Sequence, residues 1–490
     1  MKDHRYYNLL LWLFLTAFFS YLAYRIFLVF SIQPDLGGVE NAVVYFIQRS
    51  LADLPLYTDP ELPPYSINQY GPLYYLLTTS IGNLLGVDPA QVQQVFILNR
   101  SVSLALNLLM AATLSIICTR TFSMPLVRGA AVGILGFIFL EITSFARPDS
   151  LNHLLYFLSF CFLLLSFKNN KRSLLLASAL FAAAALFTKQ SSFTLPLIIG
   201  AWMVLKKQYK LWWWFAAYGI FIMLAIVLMH LKWGVPAIYA NLVMGVNNGV
   251  NLGLFWANII KPFFASFGLL WVPIGFLIFL QSKKENNGLL QILGWAMVIQ
   301  FFASLALSFK FGSHINYFTE SWTLLLMAAA YYWKDHRNFY ESLFPVWALS
   351  FILAVKILLI SFPLYREARF GNADKKNLYE KEKLLASRIM SDDPEQKVFI
   401  NLFSPHSFLN NFLFRQAVLP QYEIVYFTSW DRKVYDYKNF REQFSSGSIR
   451  WMITKNQEEP SFRDFKIMGF EPLVDSAGYR LYRFSGEVNK

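Results

Sequence analysis

Residues 34–77 read PDLGGVENAVVYFIQRSLADLPLYTDPELPPYSINQYGPLYYLL. They follow an apolar stretch, residues 8–30, that is long enough to cross a bilayer. They hold five carboxylates, Asp35, Glu40, Asp53, Asp59 and Glu61, and one base, Arg49. The chain as a whole has the opposite excess, with 43 Lys and Arg against 30 Asp and Glu and a net charge of +13. A basic chain that gathers acid into the first loop after a membrane helix points to proton transfer or cation binding at the water–lipid boundary. Within the loop, Val39–Leu54 places apolar residues at 39, 42, 43, 46, 47, 51 and 54, a helical spacing. That stretch is too short to span and is predicted to lie along the membrane surface. Pro55, Pro60, Pro63 and Pro64 break the chain after it. A second stretch, 72–85, is aromatic at its start and is followed by Gly86. Treating it as a crossing would invert every later loop, so a second interfacial helix is predicted there.

Composition fixes the broad class. Of 490 residues, 56% are hydrophobic and only 15% are charged, well below the roughly 25% of soluble domains. Aromatics reach 18%, with 14 Trp and 26 Tyr, which suits a large lipid interface. The first helix is too long, and its downstream flank too polar, for a cleaved signal peptide, so it reads as an anchor. The two cysteines, Cys118 and Cys161, both fall in apolar runs, which excludes a disulfide framework or a cysteine metal site. The bases sit in short loops between apolar runs rather than in a soluble patch with stacking aromatics, so no nucleic-acid partner is expected.

About eleven membrane helices are predicted: 8–30, 95–118, 128–145, 151–167, 173–188, 192–205, 211–231, 263–281, 289–309, 317–333 and 343–363. With the N-terminus cytoplasmic, that side holds Lys2, Arg5, Arg120, Arg128, Lys168, Lys171, Arg172, Lys206, Lys207, Lys210, Lys283, Lys284, Lys334 and Arg337. The other side holds only Arg49, Arg147, Lys189, Lys232, Lys261 and Lys310, a consistent positive-inside bias. The acidic loop, the turn at Arg147 and the C-terminal region then lie outside the cytoplasm. After about residue 364 the composition changes to 20 Lys and Arg with 17 Asp and Glu, against 23 and 13 in the longer part before it. The expected organisation is a membrane domain over 1–363 and a soluble extracytoplasmic α/β domain over 364–490. In the latter, helices are predicted at 376–390 and 440–444, and strands at 398–401, 423–427, 451–454 and 479–484.

Several polar residues break otherwise apolar surroundings on the outer side. Glu40 opens the first interfacial helix, where dipole and free N–H groups favour a carboxylate, in a catalytic or a capping role. Asp35 follows Pro34 and also reads as a turn residue. Asp149 follows Arg147 and Pro148 at a helix start, where capping is the alternative to function. Arg147 and Lys189 read either as phosphate ligands or as side chains that snorkel to the headgroups. His314, Asn316, Tyr317 and Glu320 cluster at the start of the tenth helix, as a site or as an interfacial belt. No HExxH, CxxC, GxSxG or P-loop pattern occurs.

Together these residues resemble a known superfamily. Gly38-Val39-Glu40 after the first helix, a helix ending at Leu56-Tyr57, and Tyr70-Gly71-Pro72-Leu73-Tyr74-Tyr75 resemble the GT-C membrane glycosyltransferases. The similarity is to bacterial relatives of the protein O-mannosyltransferases and of the lipid A aminoarabinose transferase. Ala146-Arg147-Pro148-Asp149, Phe187-Thr188-Lys189 and Asn316-Tyr317-Phe318 resemble recurring elements of the same group, over about residues 8–330. Many members carry an adjacent Asp-Glu pair, whereas here Glu40 follows Val39, so Glu40 and Asp35 both stay candidates for the catalytic acid. The resemblance implies an inverting transferase on the outer face of a bacterial inner membrane. It would take sugar from a polyprenyl-phosphate donor to a glycan, lipid or protein acceptor, among membrane lipids. It makes Glu40 the general base and Arg147 and Lys189 the ligands of the donor phosphate. Tyr57, Tyr70, His314, Asn316 and Tyr317 become substrate-binding residues. Asp149 either orients the acceptor or binds a divalent cation such as Mg or Mn, although no metal or other cofactor is assumed. The competing readings are a lipid-linked sugar flippase or transporter, and a non-catalytic assembly subunit. A transporter places ionisable groups near the bilayer midplane, and here mid-helix ions are few: Arg25, Arg100 and Lys356.

Overall fold

The structure, a computed structural model, describes residues 3–36, 38–140, 145–265, 268–284, 288–310, 312–333, 354–355, 358, 372–392, 394–402, 407–420, 433–455, 461–462, 465–476 and 478–486. The helices follow the apolar runs closely. They are α1 (Asp3–Phe30), α2 (Glu40–Leu51), α3 (Leu73–Leu84), α4 (Val92–Ile116, continued by a π turn over Ile117–Thr121), α5 (Leu126–Ile138), α6 (Asp149–Asn169), α7 (Arg172–Leu186), α8 (Thr194–Lys206), α9 (Trp212–Trp233), α10 (Gly268–Lys284), α11 (Gly288–Ser308) and α12 (Thr319–Trp333). Among the described residues, five segments are long and apolar enough to cross a bilayer: Leu11–Phe30, Val92–Thr121, Asp149–Asn169, Tyr209–Trp233 and Gly288–Ser308. They define a multi-pass membrane protein. The eleven crossings expected from the sequence are not all of spanning length. The helix expected over 128–145 ends at Ile138, and α5, α7 and α8 run 13, 15 and 13 residues. Most of the helix expected over 343–363 lies outside the described residues.

The chain forms two compact units. The first comprises Met1–Ser31, Arg100–Met223 and Asn251–Gly371; the second comprises Ile32–Asn99, Leu224–Val250 and Asn372–Lys490. In the first, helix pairs approach through small residues, as membrane helices do where no hydrophobic driving force acts between them. α6 and α7 meet at Ser159, Ser178, Ala179, Ala182 and Ala183, with the Ser159 hydroxyl donating to the Ser178 carbonyl at 2.9 Å. α5 brings Gly133 against Ala111 and Ser115 so closely that a Cβ there would collide with the Ala111 carbonyl.

In the second unit both short helices expected in the first loop form, within 39–54 and 72–85. Beyond them, α13 (Asn372–Asp392), α14 (Leu409–Phe412) and α15 (Lys438–Ser445) accompany strands β1 (Lys397–Asn401), β2 (Ala417–Val418), β3 (Ile449–Lys455), β4 (Ser461–Phe462), β5 (Phe465–Lys466), β6 (Phe470–Ser476) and β7 (Tyr479–Phe484). The main sheet runs β2-β1-β3-β7-β6, with β1 parallel to β2 and β3, and β7 antiparallel to β3 and β6. The strand expected at 423–427 lies outside the described residues. Strand side chains alternate between two buried faces. Val398, Ile400, Trp451, Ile453 and Leu481 pack with Leu385, Ala386 and Ile389 of α13. Phe399, Met452 and Tyr482 pack with Phe440 and Phe444 of α15 and with Tyr65 and Ile67 of the first loop. The first loop therefore shares a hydrophobic core with the C-terminal sheet, and the Leu419 amide donates to the Pro64 carbonyl at 2.8 Å.

Candidate active site

In the first unit the site grows from the start of α6. Ala146 takes a left-handed φ of 58°, which is uncommon outside glycine, and Pro148 follows at the N-cap, so Asp149 is the first residue of α6. Its carboxylate is buried and crowded. Lys189 Nζ lies 2.6 Å from Oδ1, Asn316 Nδ2 donates to the same oxygen at 2.7 Å, and Arg147 Nε lies 3.5 Å from Oδ2. Lys189 stands in extended backbone just past α7, ahead of the short 3₁₀ turn Gln190–Phe193. It is buried, and its ammonium lies 4.6 Å from the centroid of the Tyr317 ring. Neither it nor Arg147, also buried, snorkels; both turn onto Asp149. His314 and Tyr317 belong to the 3₁₀ turn Ile315–Phe318 and its N-cap, so they do not share an α-helical face.

A second layer lies one turn further along α6. The Asn152 amide donates to Glu320 Oε1 at 3.1 Å, and its oxygen accepts from Ser192 Oγ at 2.6 Å. His153 Nε2 sits 3.2 Å from the same Glu320 oxygen. Deeper still, the Tyr156 hydroxyl donates to Gln300 Oε1 at 2.9 Å, and Gln300 Nε2 donates to Ser304 Oγ at 3.2 Å. Residues 149, 152, 153 and 156 form one face of α6, a polar stripe that α11, α12 and the α7–α8 turn cover.

The local field is positive. Burial, with Lys189 as the second cause, lowers the Lys310 ammonium to about 8. Burial and then Arg147 lower the His314 imidazole from its usual value. Lys189 and Arg147 thus face the Asp149 carboxylate, with Lys310 beside Lys189 and His314 beside Arg147, in a geometry that suits an added anion. Sequence reasoning named Asp149, Arg147, Lys189, Asn316, Tyr317 and His314, and the structure brings these together. It counted Lys310 only as a loop base and overlooked His153. The signal for His153 was its spacing of four from Asp149, one turn along the same helix face.

The other candidates belong to the second unit. Glu40 is the first residue of α2 and is buried, and its Oε2 accepts from the Leu36 amide at 3.0 Å. Asp35 Oδ1 accepts from the Gly38 amide at 2.5 Å, an Asx-type turn. The buried Tyr57 hydroxyl donates to the Tyr70 carbonyl at 2.7 Å, and its ring meets Trp233 edge-on at 5.0 Å. That hydrogen bond braces the loop between α2 and α3. Among the described residues no group of three or more His, Cys, Asp or Glu could hold a metal ion.

The architecture combines polytopic helices, a first loop with two short helices, and a small C-terminal sheet. Two solved structures share it over nearly the whole chain. ArnT from Cupriavidus metallidurans bound to undecaprenyl phosphate is 11% identical, with a TM-score of 0.63, covering 96% of this chain and 97% of its own. The same protein in the apo state gives 11% and 0.63, covering 99% of each chain. No protein-family profile and no curated protein sequence matches the chain.

Proposed function

We propose that this chain is a membrane glycosyltransferase that moves a sugar from a polyprenyl-phosphate donor to a glycan, lipid or protein acceptor on the extracytoplasmic face of a bacterial inner membrane. The observation that carries this reading is the pair of buried cations, Lys189 and Arg147, on the carboxylate of Asp149, with Lys310 beside Lys189, in a fold shared with a protein crystallised with undecaprenyl phosphate. Asp149 holds Lys189 and Arg147 in place, and their positive charge binds the donor phosphate. An acceptor hydroxyl attacks the anomeric carbon, a new C–O bond forms, and the bond to the phosphate oxygen breaks with inversion. Glu40 takes the acceptor proton, and the polyprenyl phosphate leaves as an anion. The leaving group then needs positive charge more than a proton, which fixed cations supply without reorganisation. Asp149 does not suit a divalent cation, because two basic side chains and an amide donor already occupy its oxygens; no step is assigned to a metal. Asp35, tied into its turn, is the lesser candidate for the base.

The test combines binding and transfer in purified, reconstituted protein. Lys189→Gln should weaken undecaprenyl phosphate binding, and Arg147→Lys should weaken it too, because an ammonium does not replace a planar fork. Glu40→Gln should bind that lipid normally and lose about 10²- to 10⁴-fold in transfer. Normal lipid binding by both Lys189→Gln and Arg147→Lys would remove the phosphate site. Wild-type transfer by Glu40→Gln, with loss in Asp35→Asn, would reassign the base.

A further inference from the structure

The second unit contains a basic cleft of about 320 Å³ that the reaction above does not use. Arg49, Lys397 and Arg415 line it, with Glu395, Pro64 and Gln416 among its other walls. Arg49 stands in the last turn of α2 and is only 5% exposed. Its Nε donates to the Pro55 carbonyl at 3.3 Å and its Nη1 to the Tyr45 hydroxyl at 3.5 Å. Both partners are neutral, and among the described residues no carboxylate lies within ion-pair distance of Arg49. Burying a guanidinium without a counter-charge is unfavourable. Capping the end of α2 accounts for some of that burial, but it leaves the positive charge unbalanced. Lys397 is held by another neutral group, Gln443 Oε1, at 3.0 Å. Arg415 is exposed and rests on the Phe414 ring at 5.4 Å. Glu395 is the one acid among the described lining residues, so three cations face one carboxylate.

We propose that this cleft binds a phosphate monoester, carried either by a soluble sugar phosphate or by a lipid headgroup. Such a group bears a charge of about −1.5 to −2 at neutral pH, which matches the excess of two. Two guanidinium forks and one ammonium suit its oxygens, because arginine binds phosphate with two parallel N–H bonds and lysine binds it as a point charge. The inference does not rest on the transferase reading, since it concerns residues to which that reading gives no role.

The test uses the full chain in neutral detergent and in phosphatidylcholine nanodiscs, with labelled inorganic phosphate as the probe. Every measurement is repeated in Lys189→Gln, which separates the cleft from the cation group at Asp149. Saturable phosphate binding should survive in Lys189→Gln and weaken by about ten-fold or more in Arg415→Gln/Lys397→Gln. The melting temperature of that double variant should stay at the wild-type value, because both side chains reach solvent. Arg415→Lys should retain part of the affinity. Displacement by glucose 1-phosphate marks the soluble source, and displacement by phosphatidic acid in the nanodisc alone marks the lipid source. Absence of phosphate binding to the wild type, binding lost in Lys189→Gln, or binding unchanged in the double variant would each overturn the proposal.

Discussion

Two regions of the helical unit bury basic side chains, and they neutralise them in different ways. Arg25 and Arg100 are fully buried and turn to helix ends. Arg100 Nη1 donates to the Leu28 carbonyl at 3.1 Å and the Ser31 carbonyl at 2.6 Å, at the end of α1, and Arg25 Nη2 donates to the Leu140 carbonyl at 3.0 Å, just past α5. Helix C-termini expose carbonyls and partial negative charge, so these arginines cap helices. Lys189 and Arg147 instead converge on a carboxylate beside other cations. The first pattern is architecture, and the second is the group proposed to bind the donor phosphate. The distinction also bears on the transporter alternative, because both of its mid-helix ions within the described residues serve as caps. The largest effect should come from removing the counter-charge. Asp149→Asn leaves Lys189 and Arg147 buried without their carboxylate, which typically costs about 3–5 kcal/mol. Thermal unfolding in detergent should show the loss. Adding Lys189→Gln should recover part of it, since contacting pairs are non-additive. A double variant that is as unstable as the sum of the singles would show that the pair is not coupled.

A third solution to buried charge occurs in the C-terminal sheet region. Glu382 is fully buried; its oxygens accept from the Phe408 amide and the Tyr479 hydroxyl, both at 2.7 Å. Burial outweighs these donors and raises its carboxyl from 4.5 to about 7. An acid with a raised folded-state pKa stabilises the fold below its unfolded value, and that contribution is lost as pH rises through the folded value. Stability of this unit should therefore fall between about pH 4.5 and 7, by up to about 3 kcal/mol. Hydrogen exchange of α13 and β7 amides across that range measures it, and Glu382→Gln should flatten the slope. An unchanged slope in that variant would assign the pH dependence elsewhere.

The capping role makes a smaller prediction. Arg100→Met should strand the α1 carbonyls at a cost of about 1–3 kcal/mol while undecaprenyl phosphate binding stays at the wild-type level. Loss of lipid binding in a well-folded Arg100→Met protein would erase the contrast with the Asp149 group.

How much of this was legible in sequence depends on the kind of signal. Apolar periodicity located α2 to within a few residues, because an amphipathic helix repeats its pattern over several turns, and α3 was located by its aromatic start and the Gly86 that follows it. The strand at 479–484 was legible through its alternation. β2, two residues long, and β6, with Glu471 and Asp475 in it, carry too little pattern. The shared core of Tyr65 and Ile67 with Phe399 and Phe440 was not legible, because it joins segments more than 300 positions apart. At the site, Asp149, Lys189 and Asn316 stood out as polar residues in apolar runs. Their pairing did not, since it depends on how α6, the end of α7 and the start of α12 pack. Lys310 looked like any loop lysine; only its place beside Lys189 distinguishes it.

Lys310 supplies the finest test of whether the cation group holds a phosphate. Among the described residues it has no acid partner, and its ammonium is lowered from 10.5 to about 8 by burial and by Lys189. In the free protein it is therefore charged below about pH 8 and increasingly neutral above. Undecaprenyl phosphate is already a dianion well above its second pKa of about 6, so its own charge stays constant over that range. If Lys310 faces the phosphate, lipid affinity should fall as pH rises through about 8, by up to about ten-fold for one lost contact. Stability should change in the opposite sense. A lysine with a lowered folded-state pKa binds fewer protons in the folded state than unfolded, so the fold gains stability between about pH 8 and 10.5. Affinity and stability thus move in opposite directions with pH through one side chain. Lys310→Met should abolish both slopes. If it flattens the stability curve but leaves the affinity slope intact, Lys310 is buried near the site without touching the lipid phosphate.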